Sequence, residues 1–438
     1  MERRKLESFN DWWFTGKVPS DLLQPLKREL FSQVFPQLER RQVLAITGLR
    51  RVGKTTLMYQ LIQHLLDVGV EPTSVLYFSF DEAVGELSDA LETYRETYGV
   101  DFKKGRIYVF LDEVQKLANW ADQLKRYYDL YPKLKFVVSG SESLFVRKGS
   151  TERLAGRICE FFLPTLSFKE FLEFNSIEVK ARLSELRLKQ FFRRYIEQGG
   201  FPEMALERDL GKVRRYVRSS VIDKLVFKDI LALSGIRDVE LFLSMLEVFA
   251  TNPGMYLEYQ SLAQQFGGDR RVVKNYVMWL KEGFLITLLA NYRKGRIASL
   301  RKLKRLYLAD NSIITAFHGP IDEVLFGKMV ENAVMNALGA KFFWRNRHEV
   351  DAVVNNIPIE VKYQPKVFSS DLKGLREFMR KFGARKGIVV TRGEAKEVKP
   401  TEGKIEFIPA ERFLLSPPVL ERKITMVGHV AMSRQSPK

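Results

Sequence analysis

Between residues 42 and 163 the chain alternates short apolar runs with longer charged, helix-length stretches. The runs 42–47, 74–80, 106–112, 134–139 and 159–163 are of strand length, almost continuously apolar and bounded by charge, as strands buried on both faces are. A helical stretch follows each of the first four, so the pattern predicts β-α-β units around a parallel sheet. From about residue 167 to 233 the period turns helical, rich in Phe, Leu, Glu and Arg, and is broken at Gly199-Gly200-Phe201-Pro202. A short helix over 259–266, a Gly267-Gly268 turn, a longer helix over 269–282 and an apolar run over 284–289 come next, and residues 306–415 return to mixed strand and helix.

This pattern divides the chain into a helical extension (1–40), a parallel-sheet core (41–165), a helical lid or connector (166–235), a winged helix-turn-helix (236–305), a last α/β domain (306–415) and a tail (416–438). A length of 438 residues agrees with several cores rather than one. Apolar runs stay far below the roughly 20 residues that span a bilayer. Met1-Glu2-Arg3-Arg4-Lys5 leads into no apolar leader segment, so the expectation is no membrane and a cytoplasmic location. Cys159 is the only cysteine and there are four scattered histidines, which exclude an internal disulfide and a cysteine-rich zinc site and leave Mg2+ as the metal to expect. The net charge of +18 points to a polyanionic partner, with a merely solvated basic surface as the other reading.

Gly48-Leu49-Arg50-Arg51-Val52-Gly53-Lys54-Thr55, followed by Thr56, fits G-x-x-x-x-G-K-S/T after an apolar strand and at a helix start. Backbone N–H groups of such a loop wrap a β-phosphate, Lys54 reaches the β- and γ-phosphates, and Thr55 offers a hydroxyl to Mg2+. ATP and Mg2+ are therefore the expected cofactors. The run 107–111 ends in Asp112 and Glu113: Asp112 is expected in the Mg2+ shell, and Glu113 as the base that polarises the attacking water. One strand lies between loop and acid pair in sequence, an order that resembles the ASCE branch of P-loop ATPases. Ser139 or Ser141, at the tip of the next strand, is expected at the γ-phosphate or the water. Serines also end strands for turn reasons. Arg157 is a candidate arginine finger, acting in cis or in trans, or a surface arginine.

Gly48–Thr56, Phe110-Leu-Asp-Glu-Val-Gln115, Leu154-Ala-Gly-Arg157, Leu163-Pro-Thr-Leu-Ser-Phe168 and Gly199-Gly-Phe-Pro-Glu203 together resemble one family over residues 41–413. It is that of archaeal and bacterial AAA-type ATPases with a C-terminal domain similar to PD-(D/E)XK nucleases. The resemblance implies an α/β protein: a P-loop ATPase core with a parallel sheet, a helical lid, a winged helix-turn-helix and an α/β nuclease-like end. It supplies no substrate. Relatives of the AAA type often form rings, which makes a homo-oligomer an expectation by analogy.

Glu349-Val-Asp351 and Ile359-Glu360-Val-Lys362 alternate charged and apolar positions across a hairpin-like Asn355-Asn356. Asp351, Glu360 and Lys362 match the D-x8-E-x-K spacing of PD-(D/E)XK nucleases, and Glu331 resembles the additional helix acid. Glu331, Asp351 and Glu360 would then hold Mg2+, and Lys362 would steady the nucleophile. An amphipathic hairpin with a solvated face, or a nuclease fold that does not cleave, fits the same residues. In the helix over 269–282, Arg270, Arg271 and Lys274 share a surface while Val273, Val277 and Leu280 face inward, and residues 293–305 add seven Lys or Arg and no acid. Winged helices also serve as packing modules. The sequence thus predicts a Mg-dependent ATPase with DNA as partner; the alternative is an ATP-dependent switch or scaffold that binds a protein partner and carries a non-cleaving nuclease-like fold.

Overall fold

The computed structural model describes residues 3–81, 85–140, 154, 156–178, 184–230, 236, 238–293, 303–417 and 425–426. They form two compact units, the described residues within 1–163 together with 425–426, and the described residues within 164–422.

The first unit opens with two short helices, α1 (Arg3–Ser8) and α2 (Trp12–Thr15). Then come β1 (Val43–Thr47), α3 (Lys54–Asp67), β2 (Val75–Ser79), α4 (Leu87–Tyr98), β3 (Ile107–Asp112), α5 (Trp120–Leu130), β4 (Leu134–Gly140) and β5 (Ile158–Phe162). The strands start and stop within one residue of the expected runs. Every residue of β1 to β4 is buried, which is why these runs are continuous in apolar residues instead of alternating. The sheet order is β5-β1-β4-β3-β2, all parallel, and the strand Thr425–Met426 adds antiparallel to β5. β4 thus lies between β1 and β3, so the loop after β1 and the acid pair ending β3 sit one strand apart at the same sheet end. Helices follow the first three strands; the one expected after β4, like Ser141, lies outside the described residues.

β2 is an edge strand, and the N-terminal extension covers it. Asn10 pairs with Tyr77 as another strand would: the Tyr77 N–H donates to Asn10 Oδ1 (2.7 Å) and Asn10 Nδ2 donates to the Tyr77 carbonyl (2.9 Å). Trp12 and Trp13 each donate an indole N–H to the Val75 carbonyl, at 3.0 and 2.8 Å. An otherwise open row of backbone groups is thereby closed.

In the second unit α6 (Phe168–Phe174), α7 (Glu185–Gln198) and α8 (Leu210–Tyr216) run into π-helical turns over Val217–Ile222 and Leu225–Ile230. α7 ends at the glycine pair, as expected of a breaker. A Cβ on Gly199 would lie 2.0 Å from Asp310 Oδ1, and one on Gly200 2.6 Å from the Leu166 carbonyl, so both must be glycine. Asp310 accepts from the Gly200 N–H (2.9 Å) and from the Ser312 N–H and hydroxyl (2.9 and 2.6 Å).

Next come α9 (Val239–Thr251), β6 (Tyr256–Leu257), α10 (Tyr259–Gln265), α11 (Arg270–Glu282), β7 (Ile286–Asn291) and β8 (Lys304–Leu308), with β8 antiparallel to both β6 and β7. After α12 (Asn311–Phe317) and α13 (Glu323–Leu338), β9 (Phe342–Arg345) and β10 (Glu349–Val350) extend this sheet in the order β10-β9-β7-β8-β6. β8 therefore runs across the expected boundary at 305/306, and one sheet joins residues from both sides of it. The chain then switches sheets: β11 (Ala352–Val354), β12 (Ile357–Lys362), α14 (Lys373–Phe382), β13 (Lys386–Thr391), β14 (Lys396–Val398), β15 (Lys404–Pro409) and α15 (Ala410–Leu415), with strand order β11-β12-β13-β15-β14. β11 and β12 form a hairpin over Asn355 and Asn356, both at positive φ, as a two-residue turn of the primed type requires.

Candidate functional site

The loop from Gly48 to Thr55 joins β1 to α3 at the carboxyl end of the sheet. Gly48 has φ 151°, and a Cβ there would stand 2.3 Å from the Leu163 carbonyl; Gly53 has φ 95°. These two backbone conformations make the loop curl ahead of the helix N-terminus, so that successive N–H groups face one concavity. Leu49 and Val52 anchor it in the core, while Arg50 is half-buried and Arg51, at φ 68°, is exposed. The Lys54 ammonium lies back across the loop and donates to the Gly48 and Leu49 carbonyls at 3.1 and 3.0 Å. Arg28, buried in the N-terminal extension, donates to the Val52 carbonyl at 2.9 Å and braces the loop from behind. Thr56 follows in the first turn of α3, half-buried.

Asp112 is buried and accepts four hydrogen bonds. Its Oδ2 takes the Thr55 hydroxyl at 2.6 Å and the Tyr77 phenol at 3.0 Å. Its Oδ1 takes the Glu113 N–H at 3.1 Å and the Ser139 hydroxyl. Three strands and the phosphate-type loop converge on one carboxylate, which fixes where the Thr55 oxygen sits. Burial and the Asp112 charge push the Tyr77 phenol far above its ordinary value, so it stays a donor. Glu113 has φ 54° and ψ 41°, a left-handed conformation rare outside glycine. The kink ends β3, and Gln115 Nε2 donates to the Glu113 Oε2. The residues fit a nucleoside triphosphate with Mg2+: a concave set of N–H groups, an ammonium, and a hydroxyl held on a buried acid.

Of the residues singled out in the sequence, the loop, Asp112, Glu113 and Ser139 are brought together. Ser139 directs its hydroxyl at Asp112. Arg157 is elsewhere: it precedes β5, its carbonyl accepts from the Val43 N–H (2.8 Å), and Val43 pairs with Ile158. That is the amino end of the sheet, about 15 Å of strand from the loop. There Arg157 Nε pairs with Asp129 at 3.1 Å. Sequence reasoning missed Tyr77, Gln115 and Arg28. Tyr77 looks like one more aromatic in a buried strand, and only the pairing of β2 with β3 reveals its partner.

In the second unit Glu331, Asp351, Glu360 and Lys362 are also gathered, together with Glu349. Asp351 sits where the chain passes from β10 to β11, and its Oδ2 accepts the Val361 N–H at 2.8 Å. Glu360, buried, pairs with Lys362 at 2.7 Å, and burial together with Asp351 raises its carboxyl well above the usual range. Glu331 is pushed up to about 7 by burial and Asp351. In their midst lies Arg305, whose guanidinium meets Asp351 (2.9 Å), Glu331 (2.8 Å) and Glu349 (3.0 Å). Arg305 takes Asp351 Oδ1, Glu331 Oε1 and Glu349 Oε1, and Lys362 takes Glu360 Oε1, so the chain's own cations occupy oxygens that a Mg2+ would need. Among the described residues no group of three or more His, Cys, Asp or Glu is placed to hold a metal ion. The sequence spacing identified the acids and gave no sign of the arginine.

On α11, Val273, Val277 and Leu280 are buried, and Arg270, Arg271, Lys274 and Lys281 are exposed without an ion pair among the described residues. Burial and the neighbouring Lys281 and Lys274 push the Lys304 ammonium down, which places a cation of β8 in the same basic surface. Of the basic run 293–305, residues 294–302 lie outside the described residues. No described helix is long and apolar enough to cross a membrane.

Residues 40–172 match a family model described as an AAA domain. Residues 189–322 and 326–413 match two domains of unknown function, DUF8612 and DUF4143. The chain is 26% identical to the uncharacterized protein MJ1637 of Methanocaldococcus jannaschii, over 86% of this chain and 85% of that one. It is 22% identical to an uncharacterized protein of Haemophilus influenzae, over 66% and 72%. Among solved structures, C. elegans PCH-2 is matched at 14% identity and TM-score 0.28, over 48% of this chain and 66% of that one. A STAND protein of Pyrococcus horikoshii with a tetratricopeptide repeat sensor is matched at 14% and 0.24, over 72% and 45%. The residues that match the AAA-domain model, 40–172, are those that carry the phosphate-type loop, the acid pair and strand β4 between them.

Proposed function

We propose that this protein is a Mg-dependent ATPase whose hydrolysis is coupled to DNA held by its second unit. The observation that carries the ATPase half is the Asp112 carboxylate, which takes the Thr55 hydroxyl from the loop and is followed directly by Glu113. In this reading the loop N–H groups and Lys54 bind the triphosphate, Lys54 leaving the Gly48 and Leu49 carbonyls to do so. A Mg2+ bound with ATP supplies neutralisation of charge on the β- and γ-oxygens, and Thr55 with Asp112 would hold it. Tyr77 and Ser139 orient Asp112. Glu113 accepts a proton from the attacking water while Gln115 positions its carboxylate. Arg157 lies at the wrong end of the sheet to reach this chain's own loop, so a finger role for it requires a second copy.

The DNA half rests on α11. The order helix, strand, helix, helix, strand, strand over α9 to β8 supports a winged helix-turn-helix with α11 as recognition helix and Arg270, Arg271 and Lys274 on phosphates. The order α13, β11-β12 hairpin, α14 and parallel β13 supports a nuclease-like end. ATP turnover measured with and without duplex DNA at low and moderate salt tests the coupling. Stimulation that weakens with salt and is lost in the Arg270→Ala/Arg271→Ala/Lys274→Ala variant is expected. Turnover indifferent to DNA overturns the DNA half and favours an ATP-dependent switch with a protein partner.

A further inference from the structure

The acidic cluster of the second unit is built around a cation that the chain itself supplies. Arg305, on β8, is about nine-tenths buried, and every nitrogen of its guanidinium is used. Nε donates to the Gly254 carbonyl at 3.0 Å, Nη1 to Asp351 Oδ1 at 2.9 Å with Glu349 Oε1 at 3.0 Å, and Nη2 to Glu331 Oε1 at 2.8 Å. The rings of Tyr307 and Tyr256 lie 5.4 and 5.8 Å from its central carbon. Their hydroxyls donate to the same acids, Tyr307 to Glu331 Oε1 at 2.6 Å and Tyr256 to Glu349 Oε2. Gly254 at φ 82° leaves room: a Cβ there would press on Arg305 Nη2 at 3.1 Å and Glu331 Oε1 at 3.2 Å. Three other stretches of chain, 254–256, 331 and 349–351, are thus drawn onto one planar fork.

A divalent metal needs several carboxylate oxygens turned toward a single point with room for its waters. Here Asp351 spends Oδ1 on Arg305 and Oδ2 on the Val361 N–H, and Glu331 Oε1 receives two donors. Glu360 spends Oε1 on Lys362, and its buried Oε2 has no hydrogen-bond partner among the described residues. Arginine does not give up its proton, so its charge cannot be removed to admit a second cation. We infer that Arg305 is the resident cation of this cluster, holding Glu331, Glu349 and Asp351 in place of a divalent metal, so that the chain does not cut nucleic acid here. This deepens the nuclease-like reading of the second unit and rests on it. The cluster serves instead as a clamp between the β6-β8-β7 sheet, α13 and the turn into β11, keeping the fold of a nuclease as a platform.

The test uses the full chain without nucleotide. Mn2+ uptake is followed by the loss of the free-ion electron paramagnetic resonance signal, and melting is recorded with and without Mn2+, for wild type, Glu360→Gln and Arg305→Met. Expected are equal Mn2+ uptake by wild type and Glu360→Gln, no Mn2+-dependent rise in wild-type melting, and a lower melting temperature for Arg305→Met that Mn2+ partly restores. Plasmid nicking should be the same for wild type and Glu360→Gln. Mn2+ uptake or nicking present in wild type and lost in Glu360→Gln overturns the inference, as does an Arg305→Met protein that melts with wild type. If Arg305→Met does not fold, the clamp is supported and the first comparison alone decides the metal. ATP turnover on the same samples fails or holds independently of all these outcomes, so the ATPase reading is judged separately.

Discussion

At the residue scale, Asp112 fixes the Thr55 hydroxyl, and Tyr77, 35 positions away in the chain, fixes Asp112 through the pairing of β2 with β3. Tyr77→Phe removes one hydrogen bond and keeps the ring in the core, so turnover is expected to fall roughly 5- to 10-fold for the ~1 kcal/mol lost. Nucleotide affinity in the absence of Mg2+ should be unchanged, and an equal fall in both would mean that Tyr77 serves folding alone. The loop and the acid pair are legible in the sequence because each motif is contiguous and needs particular residue types, whereas Tyr77 finds its partner only through strand pairing, and Arg305 closes a basic run, reads there as surface charge and is turned inward by the fold.

At the element scale, five strand boundaries followed from apolar runs because a parallel strand buried on both faces permits little else. The sheet order did not follow from any run, nor did the way α1 and α2 cover the edge of β2. Asn10 carries that cover, satisfying the Tyr77 N–H and carbonyl. Asn10→Ala leaves two buried backbone groups unpaired and should lower stability by about 1–3 kcal/mol in denaturant unfolding, whereas Asp11→Ala, a neighbour that makes no such pairing, should cost much less. The glycine breaker at 199–200 was legible as a helix end; that it packs on Asp310 was not. Burial raises the Asp310 carboxyl despite its hydrogen bonds to Ser312, Thr165 and Gly200. The folded state therefore holds that proton more tightly than the unfolded chain does. The stability it contributes is complete below the ordinary carboxylate range and is lost as pH rises through the folded-state value. Melting of wild type should accordingly fall relative to Asp310→Asn as pH is raised from about 4 to about 8, and a difference independent of pH would show that Asp310 does not titrate there.

At the scale of the whole molecule, the +18 charge is carried in part by a definite surface: Arg270, Arg271, Lys274 and Lys281 on α11, with Lys304 beside them. If this surface lies on phosphates, the Arg270→Ala/Arg271→Ala/Lys274→Ala variant should bind duplex DNA more weakly whatever its sequence. Its log–log salt dependence should be shallower by about 3, one for each contact removed. Binding that loses its sequence preference while keeping its salt slope would place these residues on bases instead.

In the proposed mechanism Asp112 and Glu113 turn a loop that binds nucleotide into one that hydrolyses it. ATP binding and steady-state ATP turnover, measured side by side in wild type and Glu113→Gln, decide this. ATP should bind with similar affinity to both, and turnover should fall by roughly 10²- to 10⁴-fold in the variant. Turnover in Glu113→Gln close to that of wild type would contradict the mechanism, and would move the water-activating group away from the end of β3.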